Sequence, residues 1–263
     1  MQITEIFRSI QGESSYAGLP CIFVRLTGCN LRCSWCDSEY TFTGGRRMDL
    51  DEVMAEVHRL TPHNSSRDPR AGCGPRGSCH PERSGPAVGP RSEGPAVSHH
   101  PLIEITGGEP MLQEREVVPL MERLLAEGYT VLLETSGERP LERVPAEVVK
   151  IVDVKCPGSG EGDSFRIENL QALMPHDEVK FVIAGRADYE FARDFLRRHQ
   201  LADRVASVIF SPAFAKTASG ARDVSHCLLD PRDLAEWILA DALRVRLGLQ
   251  IHKFIWDPAL KGV

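Results

Sequence analysis

Three cysteines fall within one short stretch, Cys29-Asn-Leu-Arg-Cys33-Ser-Trp-Cys36. Thiolates are soft ligands that suit iron–sulfur clusters or zinc. Spacings of three and two intervening residues let a single loop wrap three corners of a cubane. A fourth cysteine at a matching distance is absent, and a structural zinc site normally takes four protein ligands. The pattern points to a [4Fe–4S] cluster on Cys29, Cys33 and Cys36, with one iron open to an outside chelator. The bland alternative is three incidental thiols in a loop.

A second group is Thr106-Gly107-Gly108-Glu109-Pro110. Two glycines after a strand let a ligand approach the backbone closely. Glu109 adds a carboxylate that can take an ammonium. Taken alone, the same residues read equally well as a tight strand–helix turn, with Pro110 starting the helix. Together with the cysteine loop the group becomes specific.

These groups need elements to hold them. Strands are predicted over 21–26, 102–106, 130–135, 148–155, 178–184, 204–210 and 244–251, from short apolar or alternating runs. Helices are predicted from Asp49 to about Leu60 and over 112–127, 164–173, 187–199 and 231–242, with a short helical stretch after Gly137. Asp49 and Glu52 have capping-box spacing at the first of these. Strands alternating with helices imply parallel βαβ units. The expected fold is α/β, a partial or modified (β/α) barrel, with an open doubly wound sheet as the alternative. The unusual residues TGCNLRC, TGGEP, ETSG, DVKCPGSG and FSPAF each follow a strand. Function at the carboxyl ends of strands is a barrel habit that open sheets share at their switch point.

Residues 61–100 depart from this rhythm. They are rich in Pro, Gly, Ser and Arg, and half-repeat as GPAVGPRSE and GPAVS. Such a stretch buries too little apolar surface to offset its ordering entropy. It is expected to be a disordered insertion in one domain spanning 1–263. Cys73, Cys79 and His80 within it are too irregularly spaced for a convincing metal site.

Composition sets outer limits. Of the 263 residues 42% are hydrophobic and 26% charged, as in ordinary globular chains. No apolar run is long enough to span a membrane. MQITEIFRSIQGE lacks a basic region followed by an apolar one, so a cytoplasmic location is expected. That location argues against pairing the eight cysteines as disulfides. A formal charge of −6 gives no support to an electrostatic grip on nucleic acid.

The cysteine motif with GGEP resembles the radical S-adenosylmethionine (SAM) superfamily. The segments IFRSIQGES, CIFVRLTGCNLRCSWCDSEYTF and QIHKFIW are similar to the 7-carboxy-7-deazaguanine synthase family of queuosine precursor biosynthesis. The likeness covers nearly the whole chain outside 61–100 and is densest over 5–42. It implies a shortened β/α barrel, usually a homodimer, that binds SAM and Mg²⁺ and takes electrons from a donor such as flavodoxin or ferredoxin. Family members cleave SAM to a 5′-deoxyadenosyl radical, which takes a hydrogen from 6-carboxy-5,6,7,8-tetrahydropterin. The ring contracts, ammonia is lost, 7-carboxy-7-deazaguanine forms, and SAM is regenerated.

The resemblance also implies roles for single residues. Ile10, Gln11, Gly12 and Glu13 would line the substrate pocket, although QGE alone reads as a polar loop. Arg25 interrupts the apolar run CIFVRL, and a buried arginine is costly unless paired. A salt bridge would explain it; the family reading gives it the substrate carboxylate, which its planar fork suits. Ser38 would bind Mg²⁺, with Asp37 a nearby alternative. Thr106 would contact substrate, and Gly108 and Glu109 would contact SAM. Ser136 would also touch SAM, or else cap a helix. Lys155 would meet the SAM carboxylate, or stay solvated. Cys156 is a bystander, and His252 and Lys253 could close the pocket. No catalytic residue is implied beyond the cluster and SAM.

Two rival readings are weaker. A glycyl-radical activase would need a protein-substrate groove and leaves Glu13 and Arg25 unexplained. A non-catalytic electron-transfer module leaves the open iron and the Gly-Gly-Glu turn unexplained.

Overall fold

The computed structural model describes residues 1–62, 101–215, 226–257 and 260–262. Residues 63–100, almost all of the predicted insertion and including Cys73, Cys79 and His80, lie outside the described residues.

The strands are β1 (Gln2–Ile10), β2 (Pro20–Leu26), β3 (Arg46–Arg47), β4 (Leu102–Gly107), β5 (Thr130–Thr135), β6 (Val149–Asp153), β7 (Glu178–Ile183), β8 (Ser207–Pro212) and β9 (Arg246–Leu247). They form one sheet in the order β3-β1-β2-β4-β5-β6-β7-β8-β9. From β2 onward every pairing in that order is parallel, whereas β1 pairs antiparallel with β2 and β3. The mixed α/β class is as expected, and the sheet stays unclosed, with β3 and β9 at its edges among the described residues.

Alternation sorts the side chains. One face carries Ile22, Val24, Ile103, Ile105, Val131, Leu133, Phe181 and Phe210. That face forms one core with the apolar stripes of α1 (Leu50–Leu60), α2 (Glu114–Ala126), α3 (Arg186–Arg198) and α4 (Pro231–Ala240). The capping box of α1 forms as its spacing predicts: Asp49 Oδ1 accepts from the Glu52 amide at 2.9 Å, and Glu52 accepts from the Asp49 amide at 2.8 Å.

The opposite face changes character along its length. Near the strand starts it is a small apolar cluster of Cys21, Phe23, Leu102, Leu132, Val149 and Ile151. Two residues further on, the same strands present Arg25, Glu104, Glu134 and Asp153, and β7 adds Lys180. The segment between β1 and β2 crosses this face. Gln11 Nε2 donates to Glu104 on β4 at 3.1 Å, while the Ser15 backbone amide and hydroxyl both donate to Glu178 on β7. The sheet is therefore curled around the segment, as in a partial barrel.

Some elements differ from expectation. β1 is not among the predicted strands. The predicted helix 164–173 is a 3-10 segment, Ile167–Ala172. The short helix after Gly137 is replaced by turns, punctuated by Pro140 and Pro145. The predicted strand 244–251 shrinks to β9, and the chain then folds back as a single turn, α5 (His252–Ile255).

Candidate functional site

A cavity of about 230 Å³ opens at the carboxyl ends of β2 and β4–β7. Of the predicted site residues, Cys29, Cys33, Cys36, Ser38, Ile10, Gln11, Gly12, Glu13, Arg25, Thr106, Gly108, Ser136 and Lys155 all line it. Glu109 does not.

The cysteine loop leaves β2 through Gly28, which has φ +102°. Its backbone is stitched to neighbours on both sides. The Gly28 carbonyl accepts from the Glu109 amide at 2.9 Å, and the Ser34 amide donates to the Ser159 carbonyl at 2.9 Å. A Cβ on Gly108 would lie 2.1 Å from the Gly28 oxygen, so the close approach of the two loops requires glycine there. Cys29, Cys33 and Cys36 are half-buried free thiols. Burial pushes the Cys33 thiol up to about 11, against the opposing pull of the Lys155 ammonium. A bound cation reverses that balance. Among the described residues, Glu13, Asp37 and His252 form a trio whose ligating atoms all lie within 4.8 Å of one another. Cys29, Cys33 and Cys36 all line the cavity as free thiols, a soft donor set that suits an iron–sulfur cluster.

Glu109 sits behind the wall. Its carboxylate accepts from the Thr135 hydroxyl at 2.7 Å, the Ser136 amide at 2.9 Å, the Ser136 hydroxyl at 2.6 Å and the Met111 amide at 3.0 Å. It is 1% exposed, so it joins the β4 and β5 loops rather than facing a ligand. Lys155 Nζ lies 2.7 Å from Asp153. Burial alone would lower its pKa, but Asp153 and Cys33 hold it well above the usual lysine range. It is a fixed ammonium beside the cysteine loop.

The far side of the cavity is dominated by charge. Lys180 is 2% exposed and gathers carboxylates from three elements. Its Nζ lies 2.7 Å from Glu13 and 3.9 Å from Asp153, and it pairs with Glu134. Burial raises the Glu13 carboxyl, but Lys180 and His252 outweigh this and hold it at about 2. Glu104 has no such cation in contact. Burial and the neighbouring Glu134 push it well above the glutamate range, so it keeps its proton. Thr106 Oγ1 donates to Glu134 at 3.2 Å. Arg25 Nε donates to Glu5 at 2.9 Å.

The chain end forms the remaining wall. The Ile251 amide donates to the Gly12 carbonyl at 3.0 Å, and Gln250 Nε2 donates to Glu13 at 2.9 Å. Lys253 Nζ lies 2.7 Å from Asp37, next to Ser38. Cys156 is buried and apart from the cavity.

Sequence reasoning missed Lys180, Glu134, Asp153, Glu104 and Gln250. A signal was available for four of them. Each interrupts an apolar strand, in EVKFVIA, TVLLET, KIVDVK and LIEIT, as Arg25 interrupts CIFVRL.

No family model matches the chain. It is 63% identical to a 7-carboxy-7-deazaguanine synthase of Koribacter versatilis (strain Ellin345), over 100% of both chains. The synthase of Chlorobaculum tepidum is 36% identical, covering 100% of this chain and 97% of that one. The synthase of Methanospirillum hungatei JF-1 is 33% identical, covering 98% and 86%. Among solved structures, the crystal structure of QueE from Escherichia coli superimposes with a TM-score of 0.62 at 20% identity, covering 94% of this chain and 92% of that one. At that identity the likeness speaks for the fold alone.

Proposed function

The chain belongs to the 7-carboxy-7-deazaguanine synthase family, and we propose that it converts 6-carboxy-5,6,7,8-tetrahydropterin to 7-carboxy-7-deazaguanine. The reaction is a ring contraction with loss of ammonia, a carbon–nitrogen lyase reaction of the radical SAM type in queuosine biosynthesis. The observation that carries the reading is one cavity walled by a three-thiol loop on one side and by Arg25, Glu13 and Lys180 on the other.

Cys29, Cys33 and Cys36 would hold the [4Fe–4S] cluster. When bound, the cluster and SAM supply the hydrogen-abstracting chemistry. Gly108, Ser136 and Lys155 would bind SAM, with Lys155 offering its ammonium to a carboxylate; Glu109 would hold Ser136 in place. Arg25 would take the substrate carboxylate on its planar fork. Ser38 would contribute a hydroxyl to Mg²⁺, which borrows substrate oxygens and keeps waters. Asp37 stands beside it.

Glu13 is an ionised acceptor beside the amide of Gln250, a pairing suited to the amino and ring N–H groups of a pterin. Ile10, Gln11, Gly12 and Thr106 complete the substrate side. His252 and Lys253 of the α5 turn line the cavity beside Glu13 and Asp37. A compartment of this size suits a small, polar substrate and disfavours the protein loop of a glycyl-radical activase. The reading extends to a cytoplasmic homodimer reduced by flavodoxin or ferredoxin. No helix among the described residues is long and apolar enough to cross a membrane.

The test is anaerobic incubation of cluster-reconstituted protein with SAM, Mg²⁺, reductant and the carboxylated tetrahydropterin, read by mass spectrometry. Formation of 7-carboxy-7-deazaguanine is expected. An intact cluster that cleaves SAM but yields no deazaguanine would overturn the reading and favour another radical SAM activity.

A further inference from the structure

We propose that Glu5 and Tyr40 are positioning residues that present the Arg25 guanidinium end-on to a ligand carboxylate. The inference rests on the proposed substrate carrying that carboxylate.

Glu5 on β1 stands directly opposite Arg25 on β2 in the antiparallel register. One oxygen of Glu5 accepts both from Arg25 Nε at 2.9 Å and from the Tyr40 hydroxyl at 2.8 Å. Arg25 and Glu5 are each about four-fifths buried, with side-chain exposures of 19% and 18%. The guanidinium also lies over the Phe7 ring, 5.5 Å from its centroid, and Phe7 in turn stacks on Phe23 at 5.1 Å. Three contacts therefore fix one group: a carboxylate at Nε, an aromatic face beneath, and a phenol that holds the carboxylate.

The direction of the pairing matters. A guanidinium has two open hydrogen-bonding edges, one through Nε and one Nη and one through both Nη atoms. Arg–carboxylate bridges frequently engage one edge with both carboxylate oxygens. Here Glu5 engages Nε only, and among the described residues no protein group accepts from either Nη. The side chain nonetheless lines the cavity. Its unused edge matches an incoming carboxylate.

Tyr40 adds a second constraint. It belongs to the 3-10 turn Glu39–Thr41 that directly follows Ser38. Its hydroxyl donates to the same Glu5 oxygen that receives Arg25 Nε. The bond to Glu5 ties that turn to β1. The same contact that aims Arg25 therefore also sets the place of the Ser38 hydroxyl, so both could meet one carboxylate.

The variants Glu5→Gln and Tyr40→Phe test this on the reconstituted enzyme with SAM present. The readout is the equilibrium dissociation constant for the carboxylated tetrahydropterin, beside that for tetrahydropterin lacking the carboxylate. Glu5→Gln is expected to weaken the carboxylated ligand by about tenfold or more, the loss of one charge-assisted hydrogen bond. The uncarboxylated ligand should change by less than about twofold, within the spread for a lost contact that it does not use. Tyr40→Phe should shift the same ratio in the same direction by a smaller factor, and it keeps the test available should Glu5→Gln fail to fold. In turnover, KM should rise more than kcat falls. Equal losses for both ligands, or no loss, would overturn the inference while leaving the product assay intact. If wild type itself binds both ligands equally, the carboxylate assignment falls and this inference with it.

Discussion

The Glu109 carboxylate accepts both the amide and the hydroxyl of Ser136, at 2.9 and 2.6 Å. With the Thr135 hydroxyl and Met111 amide as further donors, it locks the turn after β4 to the turn after β5. A hydrogen bond to a buried charged acceptor contributes about 1.5–3 kcal/mol. Glu109→Gln replaces an acceptor with an NH₂ group aimed at donors. SAM affinity, measured by equilibrium binding to reconstituted protein, should fall about tenfold or more, equivalent to about 1.4 kcal/mol. Ser136→Ala should give a smaller loss. Unchanged affinity in both would mean that the joint does not shape the SAM site.

Cys33→Ala removes one of the three thiols proposed to hold the cluster. The variant should retain less iron after reconstitution, lose the visible thiolate-to-iron absorption and have no turnover. Normal iron content with retained activity would contradict the cluster assignment.

Lys180→Met strands Glu13 and Glu134 without their buried cation. Removing one partner of a buried pair costs about 3–5 kcal/mol. The chemical denaturation midpoint should fall accordingly at neutral pH. Glu13 is held at about 2 in the fold, against an ordinary value of 4.5. Its contribution is complete above the ordinary value and is lost as pH falls towards the folded one. The stability gap between variant and wild type should therefore narrow as pH falls from about 4.5 towards 2, once the pair titrates. A gap independent of pH would point to lost packing instead.

Glu104 carries the opposite sign. Its folded pKa is raised, so the native state keeps a proton that the unfolded chain releases above the ordinary glutamate value. Wild-type stability should decline with rising pH through that window. Glu104→Gln preserves an acceptor for Gln11 and removes the titration. Its thermal midpoint should match wild type at low pH and exceed it at higher pH. A variant that melts lower at every pH would show that the ionised form is the one the fold uses.

Arg25→Ala should weaken the carboxylated substrate by a factor of ten to a hundred, about 1.5–3 kcal/mol for charged hydrogen bonds, while SAM binding changes little. Binding isotherms for the two ligands distinguish this from a structural role, in which both would fall together.

Much of this site was legible before the fold, and the reasons are physical. The cysteine spacing was conspicuous because several ligands to one cluster often come from a single short loop. Arg25 was conspicuous as a charge inside an apolar strand. Lys180, Glu134 and Glu104 sit in equally apolar strands, but their meaning depends on which strands become neighbours, and a strand run does not state its sheet order. Glu109 was placed on the right turn. Its carboxylate faces the protein because Ser136, 27 positions later, supplies the donors. β1 escaped notice since it is half-buried along most of its length. The 244–251 run looked like a full strand, yet β9 ends at Leu247; Gly248 beyond it packs so closely on Ile209 that a Cβ would come within 2.6 Å.

The most direct test of the central claim is stoichiometric. The proposed reaction regenerates SAM, so the enzyme should accumulate many equivalents of 7-carboxy-7-deazaguanine for each SAM consumed. Both quantities can be followed in one anaerobic time course with the carboxylated tetrahydropterin in excess. A product-to-SAM ratio well above one is the predicted result. One-for-one loss of SAM to 5′-deoxyadenosine, with no deazaguanine formed, would contradict the account.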